Sequence, residues 1–310
     1  MPRSAAIICT RNRADALQNT LLSISKQTLS PLPLVVVVDA SGGPIFQNNE
    51  RAATQFSSLS IVHHRYDDQP SAARQRNVGL DLLPDSIEKV FFLDDDITLP
   101  PNCLRHLVEA LESSPTLSGV GAVERSDDTN VSSTSSRSNF WKYLFLLDHP
   151  KPGRVLSSGY VSLYTALPPS AQPILTQWLS TCCCLYDRQV FSKVRFDENV
   201  PGALFEDRDL SYRIAHFADL AVVPQAWFIH HRSPVNRPDA LGFARERVMQ
   251  RYWFVEKNID HPLRYVVYWW AILGKLIAFR TSKRPSSHQA LHGHLQGIIE
   301  VLKQHTSLLQ

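Results

Sequence analysis

Apolar runs alternate with helix-like patterns over the first 120 residues of the chain. Residues 34–38 read LVVVV, a nearly continuous β-branched run that is typical of a strand buried on both faces of a parallel sheet. Residues 5–9 and 90–93 are shorter apolar runs, which also predict strands. Residues 14–25 and 71–83 carry apolar side chains at helical spacing. Because strands and helices alternate, the pattern predicts βαβ units around a parallel sheet.

The pattern changes beyond residue 120. Residues 124–138 read ERSDDTNVSSTSSRS, and such a Ser/Thr-rich segment predicts a mobile loop. Apolar runs within residues 175–186 and at 220–223 and 226–229 predict further strands. A long helical region begins near residue 239. The second half of the chain therefore does not continue the regular alternation of the first.

The length and composition are those of a folded globular protein. The chain has 310 residues, of which 44% are hydrophobic and 20% charged. We assign residues 1–235 to an α/β domain and residues 236–310 to a C-terminal helical extension. The net charge of +3 is too small to predict a nucleic-acid partner.

Five cysteines occur, three of them adjacent at residues 182–184, and none has Cys-x-x-Cys spacing. Adjacent strand residues point to opposite faces, so these three cysteines predict small buried hydrophobic residues. Free thiols predict a cytoplasmic location. The N-terminal residues MPRSAAIICTRNR lack the apolar core of a signal peptide, which also argues against secretion.

Residues 263–279 read LRYVVYWWAILGKLIAF and combine tryptophans and tyrosines with flanking bases. Lys275 interrupts the segment, which falls short of the roughly 20 apolar residues that span a bilayer. Two interpretations stay open. Either this helix makes peripheral contact with the inner face of the membrane, or it packs against the domain.

Three consecutive carboxylates, Asp94, Asp95 and Asp96, follow the apolar run FFL. Alternation along a strand places Asp94 and Asp96 on one side and Asp95 on the other. Adjacent anions need a divalent cation, a cationic partner or water to compensate them. Taken alone, the motif predicts either a cation site at the carboxyl end of a strand or a solvated acidic turn.

Other polar motifs precede and follow these aspartates. They are ICTRNR (residues 8–13), VVVVDASGG (35–43), ARQRNVGL (73–80), and FDEN with FEDRDLSYR (196–213). Together with FFLDDD they resemble, in order and spacing, the family 2 glycosyltransferases of the GT-A fold, over roughly residues 4 to 232. The resemblance implies an α/β fold with a Rossmann-like, mostly parallel central sheet flanked by helices.

The resemblance implies a nucleotide-sugar donor and a divalent metal, Mn²⁺ or Mg²⁺, that neutralises the departing pyrophosphate. It makes Asp96 a metal ligand, completed by His230 rather than His231, and brings Asp94 closer to the ribose or base. The other residues expected on the donor side are Thr10, Arg11, Asp39, Arg76, Asn77 and Asp95. Several have structural alternatives: Asp39 as a turn cap, and Arg76 and Asn77 as structural polar groups.

An acceptor hydroxyl needs a general base, because it is a weak nucleophile at neutral pH. The resemblance gives this role to Asp207, with Glu206 and Asp209 orienting the base or binding the acceptor. The alternative is that these three acids only stabilise the first turn of a helix. One base without a covalent step implies inversion at the anomeric carbon.

The chain lacks the Q-x-x-R-W spacing of processive synthases, which favours a single addition over polymerisation. The expected donor is linked to UDP, dTDP or GDP, and the expected acceptor is a glycan or a lipid-linked molecule. The C-terminal extension is expected either on the acceptor side or at a membrane interface. A narrower resemblance, in TRNR and the basic aromatic C-terminal region, is to bacterial rhamnosyltransferases. The rival interpretations are a nucleotidyltransferase and a non-catalytic, membrane-associated carbohydrate-binding module.

Overall fold

The computed structural model describes residues 3–125, 136–165, 167–169, 171–202, 204–235, 238–282 and 287–307. Within these ranges the strands are β1 (Ser4–Thr10), β2 (Leu34–Asp39), β3 (Ile61–Arg65), β4 (Lys89–Asp94), β5 (Ile97–Thr98), β6 (Leu117–Arg125), β7 (Ile174–Thr176), β8 (Cys183–Asp187) and β9 (Asp219–His230). The helices are α1 (Ala14–Ser25), α2 (Gly43–Thr54), α3 (Ala72–Asp81), α4 (Cys103–Glu112), α5 (Ser136–Leu144), α6 (Glu206–Ile214), α7 (Ala240–Asn258), α8 (Arg264–Thr281) and α9 (Ser287–Ser307).

A mixed sheet forms the centre of the first part of the chain. Its strand order is β3-β2-β1-β4-β8-β6-β9-β5, and β7 pairs with β9. Strands β1 to β4 are parallel to one another, as the alternation of strands and helices predicts. Strand β8 is antiparallel to both β4 and β6. The fold is α/β, with a mostly parallel sheet and helices on its faces, so the predicted fold class is confirmed.

The chain turns sharply between β4 and β5. Strand β5 does not pair with β4 but lies beside β9, where Ile97 is opposite His230. The turn that makes this step consists of Asp95 and Asp96. The acidic motif therefore connects the central strand β4 to β5, the last strand in the sheet order.

Strand β9 is one bent strand, where the sequence predicts two. Ala122 of β6 pairs with Val223, but the next residue, Val123, pairs with Trp227. Residues 224–226 thus bulge out of the ladder, beginning at Pro224, which has no N–H to donate. The carbonyl of Pro224 accepts a hydrogen bond of 3.1 Å from Arg125. The bulge sets the register of the strand beyond it.

The core lies between this sheet and its helices. Residues 35–38, the apolar run of β2, are fully buried, as the sequence predicts. Phe92 of β4 makes edge-to-face contacts with Tyr186, Phe191 and Phe196, with centroids 5.1 to 6.2 Å apart. This aromatic cluster holds β4 against β8 and the segment that follows it.

Helix α3 begins at an N-cap, Ser71, whose hydroxyl accepts a hydrogen bond from the backbone N–H of Arg74. Further along, Gly79 faces β1 closely: a Cβ atom there would lie 2.5 Å from Cγ2 of Ile7. The glycine of the RNVG motif therefore lets α3 approach the sheet. The close packing of α3 against β1 also fixes the position of Arg76, which lies one turn earlier in the helix.

The contacts divide the chain into two compact units. The first contains residues 1–129, 164–198 and 206–236. The second contains the predicted extension, from residue 237 onward, together with residues 130–163 and 199–205. The extension thus folds with two segments from earlier in the chain. Of the predicted Ser/Thr-rich loop, residues 126–135 lie outside the described residues, while β6 contains Glu124 and α5 begins at Ser136.

Helices α7 and α9 of the second unit pack closely, because glycines line one side of α9. A Cβ at Gly293 would lie 2.1 Å from the carbonyl oxygen of Leu241, and one at Gly297 would lie 2.7 Å from that of Arg245. Arg245 also bonds Glu300 at 2.7 Å. In the part of the chain that the structure describes, no helix has the length and apolar character needed to cross a membrane.

We expect Gly79→Ala to lower the free energy of unfolding by about 1–3 kcal/mol, because the added methyl group overpacks against Ile7. An alanine in mid-helix without that contact would instead stabilise α3 by about 1 kcal/mol. The double variant Ile7→Ala/Gly79→Ala is the control, since it removes the contacting atom. The wild type, the two single variants and the double variant are compared by urea unfolding. We expect Gly79→Ala to destabilise the protein less when residue 7 is already alanine. Additive effects would contradict the assigned contact.

Candidate functional site

The predicted residues converge on one edge of the sheet. Parallel strands β1, β2 and β4 bring their carboxyl ends to this edge, and they contribute Thr10, Asp39 and Asp94. The beginning of α6 adds its acidic first turn there through a contact with α3. Open α/β sheets bind ligands at this position, outside the carboxyl ends of their strands.

Asp95, whose role the sequence leaves unassigned, ties β1 to β4. One carboxylate oxygen accepts a hydrogen bond of 2.7 Å from the hydroxyl of Thr10, and the other accepts one of 3.0 Å from Arg13. Arg13 also donates to the carbonyl of Val235 at 2.7 Å. Burial raises the pKa of Asp95 to about 6 against the opposing effect of Arg13. Asp95 and Thr10 therefore hold the site together from within.

Asp96 forms an ion pair with His230. Its Oδ1 lies 2.9 Å from Nε2 of His230, and its Oδ2 accepts a hydrogen bond of 2.8 Å from the backbone N–H of Ser233. Burial opposes ionisation of Asp96, but the bond and charge of His230 outweigh it and hold the pKa of this carboxyl well below its usual range. Burial likewise lowers the pKa of His230, yet Asp96 and Asp94 raise it overall. His231, by contrast, bonds Thr98 at 2.7 Å.

Asp94 faces a more open space, which it shares with Cys182 and His230. The ligand atoms of these three side chains all lie within 4.8 Å of one another. Sγ of Cys182 is 3.9 Å from Nδ1 of His230. Burial and the charge of Asp94 raise the pKa of the Cys182 thiol. Cys183 and Cys184 are fully buried, as the sequence predicts, whereas Cys182 is half-buried and belongs to the site.

Arg76 joins the two acidic motifs. The guanidinium donates to Glu206 at 2.6 Å and lies 3.4 Å from Asp94, and it stacks over the ring of Phe196. Burial lowers the pKa of Arg76, but Glu206 raises it above its usual range, with a further contribution from Asp94. Burial raises the pKa of Glu206 in spite of this cation. The predicted donor-side arginine therefore bridges residues separated by more than 100 positions.

Asp207 is half-buried beside Glu206 at the beginning of α6. Its Oδ1 accepts a hydrogen bond of 2.7 Å from the backbone N–H of Arg208. Burial raises the pKa of Asp207, and the charge of Asp94 raises it further against the effects of Arg208 and Arg76. A carboxylate in such surroundings binds a proton more readily than an exposed aspartate.

Asp39 points into the protein. It is fully buried, and its carboxylate accepts hydrogen bonds from the N–H of Ser41 at 2.8 Å and the side chain of Asn49 at 2.7 Å. Nε2 of His63 lies 3.0 Å from it. Burial opposes its ionisation, but these partners lower the pKa of Asp39 overall. The structure thus includes the predicted turn cap, through Ser41.

Asn77 and Asp209 are bound by structural partners. The amide of Asn77 donates to the carbonyl of Phe196 at 3.0 Å and accepts from its N–H at 3.1 Å. Asp209 is fully buried and accepts two bonds from Arg213, at 3.0 and 2.6 Å. Arg11 is exposed at the end of β1. Asn77 and Asp209 therefore hold in place the segments that carry Arg76 and Glu206.

Two residues of the site were missed in the sequence. Arg13 lies one position beyond the Thr10-Arg11-Asn12 part of its motif, and the run of three cysteines masks the different position of Cys182. The spacing of TRNR offers a signal for Arg13, since two bases flank one asparagine. The burial of Cys182 depends on the register of β8 against β4, which the sequence does not specify.

Comparison with known proteins gives a consistent set of similarities. The family described as Glycosyl transferase family 2 matches residues 5–195. A succinoglycan biosynthesis protein, ExoW of Rhizobium meliloti, is 24% identical over 280 residues, which cover 90% of this chain and 79% of that protein. The structure is similar to that of the mannosyltransferase PcManGT from Pyrobaculum calidifontis in complex with GDP-Man and Mn²⁺, with a TM-score of 0.61 and 16% identity over 97% of this chain and 86% of that one. It is also similar to S. aureus TarS 1–349 in complex with UDP-GlcNAc, with a TM-score of 0.56 and 14% identity over 96% and 81% of the chains.

Proposed function

Because the chain belongs to glycosyltransferase family 2, we propose that it transfers one sugar from a nucleotide-diphosphate donor to a hydroxyl of a glycan or lipid-linked acceptor. The reaction inverts the anomeric carbon and is not processive. The observation that carries this proposal is the contact of Arg76 with both Asp94 and Glu206. It unites a polar site at the carboxyl ends of the strands with the acid pair expected to serve the acceptor.

The donor diphosphate occupies the space at the end of β4, beside Asp94 and Arg76. Thr10 and Asp95 stabilise the strand ends that border this space, since the hydroxyl of Thr10 donates to Asp95 at 2.7 Å. Arg11 is exposed next to the end of β1, on the donor side. Asp39 and Asn77 support the donor site through the backbone segments that they hold.

The donor set at the end of β4 and β9 suits a divalent cation, because a carboxylate, a thiol and an imidazole have their ligand atoms within 4.8 Å of one another. Asp94 and His230 would hold Mn²⁺ or Mg²⁺ directly. Asp96, the ligand that the sequence predicts, bonds His230 and Ser233 and would support the imidazole. When bound, such a cation neutralises charge on the departing diphosphate.

Asp207 acts as the general base and removes the proton from the acceptor hydroxyl. Its half-buried position raises its pKa, which brings the carboxylate closer to the range of an efficient base. Glu206 is held by Arg76 and keeps the first turn of α6 in place. Asp209 positions the same helix through Arg213.

The donor is a UDP-, dTDP- or GDP-linked hexose. Similar structures contain GDP-Man and UDP-GlcNAc, so neither base is favoured, and the narrower prediction of rhamnosyl transfer is not supported by them. The relative named for succinoglycan biosynthesis makes a polysaccharide or lipid-linked saccharide the acceptor of choice.

Calorimetric titration with UDP, GDP and dTDP, with and without Mn²⁺, tests the proposal. We expect one nucleoside diphosphate to bind, and Mn²⁺ to strengthen binding because the diphosphate and the site are both anionic. Binding of nucleoside triphosphates with release of pyrophosphate would identify a nucleotidyltransferase instead. Absence of any nucleotide binding, with binding of free glycans, would support the carbohydrate-binding module.

We expect Asp207→Asn to lower kcat by about 10²–10⁴-fold, because the amide cannot accept the acceptor proton. Nucleoside diphosphate affinity and the unfolding midpoint should stay unchanged. Asp219→Asn, at an exposed position where β9 begins, is the matched control. In the wild type, kcat should fall as the pH falls through the raised pKa of Asp207, since only the ionised form is a base. Lost donor binding in Asp207→Asn would give this residue a donor-side role.

We propose further that α8 makes peripheral contact with the cytoplasmic face of a membrane. Its exposed apolar residues recur at helical spacing, and between 42% and 65% of the surface of each is exposed: Val266, Trp270, Leu273 and Ile277. Arg264 and Arg280 lie at the two ends of the helix. An apolar stripe with a tryptophan and flanking bases is the composition of an interfacial helix.

Leu273→Glu/Ile277→Glu should abolish co-sedimentation with vesicles that contain anionic lipid, because the charges remove the apolar stripe. Gln289→Glu/Gln296→Glu, on exposed positions of α9, adds the same charge and should reduce binding far less. The opposite outcome is a wild-type protein that does not bind vesicles and is a dimer in solution, while Leu273→Glu/Ile277→Glu is a monomer. That result would show that a second copy of the chain covers this helix instead.

A further inference from the structure

Beyond the metal ligation proposed above for Asp94 and His230, we propose that the thiolate of Cys182 is a third ligand of the ion, with Asp96 supporting the imidazole of His230. The thiolate gives the site a preference for Co²⁺ or Zn²⁺ over Mg²⁺. For the role of the ion this inference rests on the transferase function proposed above. Its test, however, needs neither a sugar donor nor an acceptor.

The distances fit a shared ion. A metal bonded at about 2.3 Å to sulfur and about 2.1 Å to nitrogen holds these two atoms no more than about 4.4 Å apart. The distance between Sγ of Cys182 and Nδ1 of His230 is 3.9 Å, inside that limit. The ligand atoms of all three side chains lie within 4.8 Å of one another, close to the spacing that one shared ion requires.

The backbone fixes the three ligands relative to one another. The N–H of Asp94, the last residue of β4, donates to the carbonyl of Cys182 at 3.0 Å, just before β8 begins. His230 is the last residue of β9, which pairs with β5 directly after the acidic turn. A site formed by the ends of paired strands is rigid, and rigidity favours a defined coordination geometry.

His230 is oriented as metal-binding histidines are. Its Nε2 lies 2.9 Å from Asp96, and the other oxygen of Asp96 is held by the N–H of Ser233 at 2.8 Å. In a neutral ring that donates Nε2–H to Asp96, the lone pair lies on Nδ1, which faces Cys182. A carboxylate behind the ligating imidazole is the usual supporting contact at such sites.

The charges around the cluster allow one more cation. Arg76 lies 3.4 Å from Asp94, but its shorter contact is with Glu206 at 2.6 Å. Glu124 lies 4.0 Å from Nδ1 of His230 and is bound by Arg232 at 2.7 Å. Metal binding replaces the proton of the Cys182 thiol, which is released to solvent, and the thiolate becomes the third ligand. Sulfur ligands favour softer ions, whereas Mg²⁺ prefers oxygen.

Titration of the full-length protein with Co²⁺ tests the ligand set, because a thiolate ligand gives an intense charge-transfer absorption in the near ultraviolet. We expect this band in the wild type and in Cys9→Ser, which removes the other half-buried thiol, but not in Cys182→Ser. A large excess of Mg²⁺ should leave the band in place. Cobalt binding without the band, or a band that persists in Cys182→Ser, would overturn the inference.

Two further measurements keep the test decisive if Cys182→Ser does not fold. In the wild type, Co²⁺ should slow alkylation of Cys182, read by mass spectrometry, and equal rates with and without the metal would contradict its role. Asp96→Asn should bind Co²⁺ about 10–100-fold more weakly, yet show the band at saturation, since it supports a ligand without being one. A band lost at saturation would make Asp96 itself indispensable to the ligand set and overturn the arrangement.

The two proposals can fail separately. If the charge-transfer band is absent while nucleoside diphosphate binding still depends on Mn²⁺, the proposed ligand set is wrong and the proposed transferase function is supported. If the band forms as expected but nucleoside diphosphates do not bind, the metal site is supported and the transferase function is contradicted.

Discussion

One buried guanidinium, that of Arg76, holds together two acidic motifs that would otherwise repel each other. Taking a charge out of water is costly, and removing one partner of a buried ion pair costs about 3–5 kcal/mol. Arg76 shares its charge between Glu206 and Asp94 and lies against the ring of Phe196. The position of α6 relative to the end of β4, and with it the separation of the proposed base and the proposed diphosphate site, depends on this contact. Its own helix reaches the sheet closely because Gly79 has no side chain.

The part of the fold built from local alternation was predictable from the sequence. The predicted helix over residues 14–25 has the bounds of α1, and the predicted strand LVVVV lies in β2. Helix α2 was missed, because it has only four apolar residues and its first two residues, Gly43 and Pro44, are typical of a turn. The antiparallel direction of β8 was also missed, since an apolar run indicates burial but not the direction of a strand. The bent β9 reads as two strands because Pro224 interrupts its pattern.

The candidate site was predictable at the level of motifs and less so at the level of atoms. Residue types and order bring Asp94, Asp96, His230 and Glu206 to one sheet edge, as the resemblance implies. Which atoms face the open space depends on register and on side-chain direction, and neither is local. Asp39 is thus enclosed by Ser41, Asn49 and His63. Cys182 reaches the site because the beginning of β8, which is antiparallel to β4, lies beside the end of β4.

The bulge of β9 also constrains how the sequence can change over evolution. Side chains alternate along a strand, so a gain or loss of one residue within 224–226 would turn the whole remaining strand over. His230 would then exchange places with its neighbour, and the imidazole facing Asp96 would point to the opposite side of the sheet. Substitutions in this segment leave the alternation intact, but insertions and deletions do not. Length, more than residue identity, is therefore what natural selection must preserve in this segment.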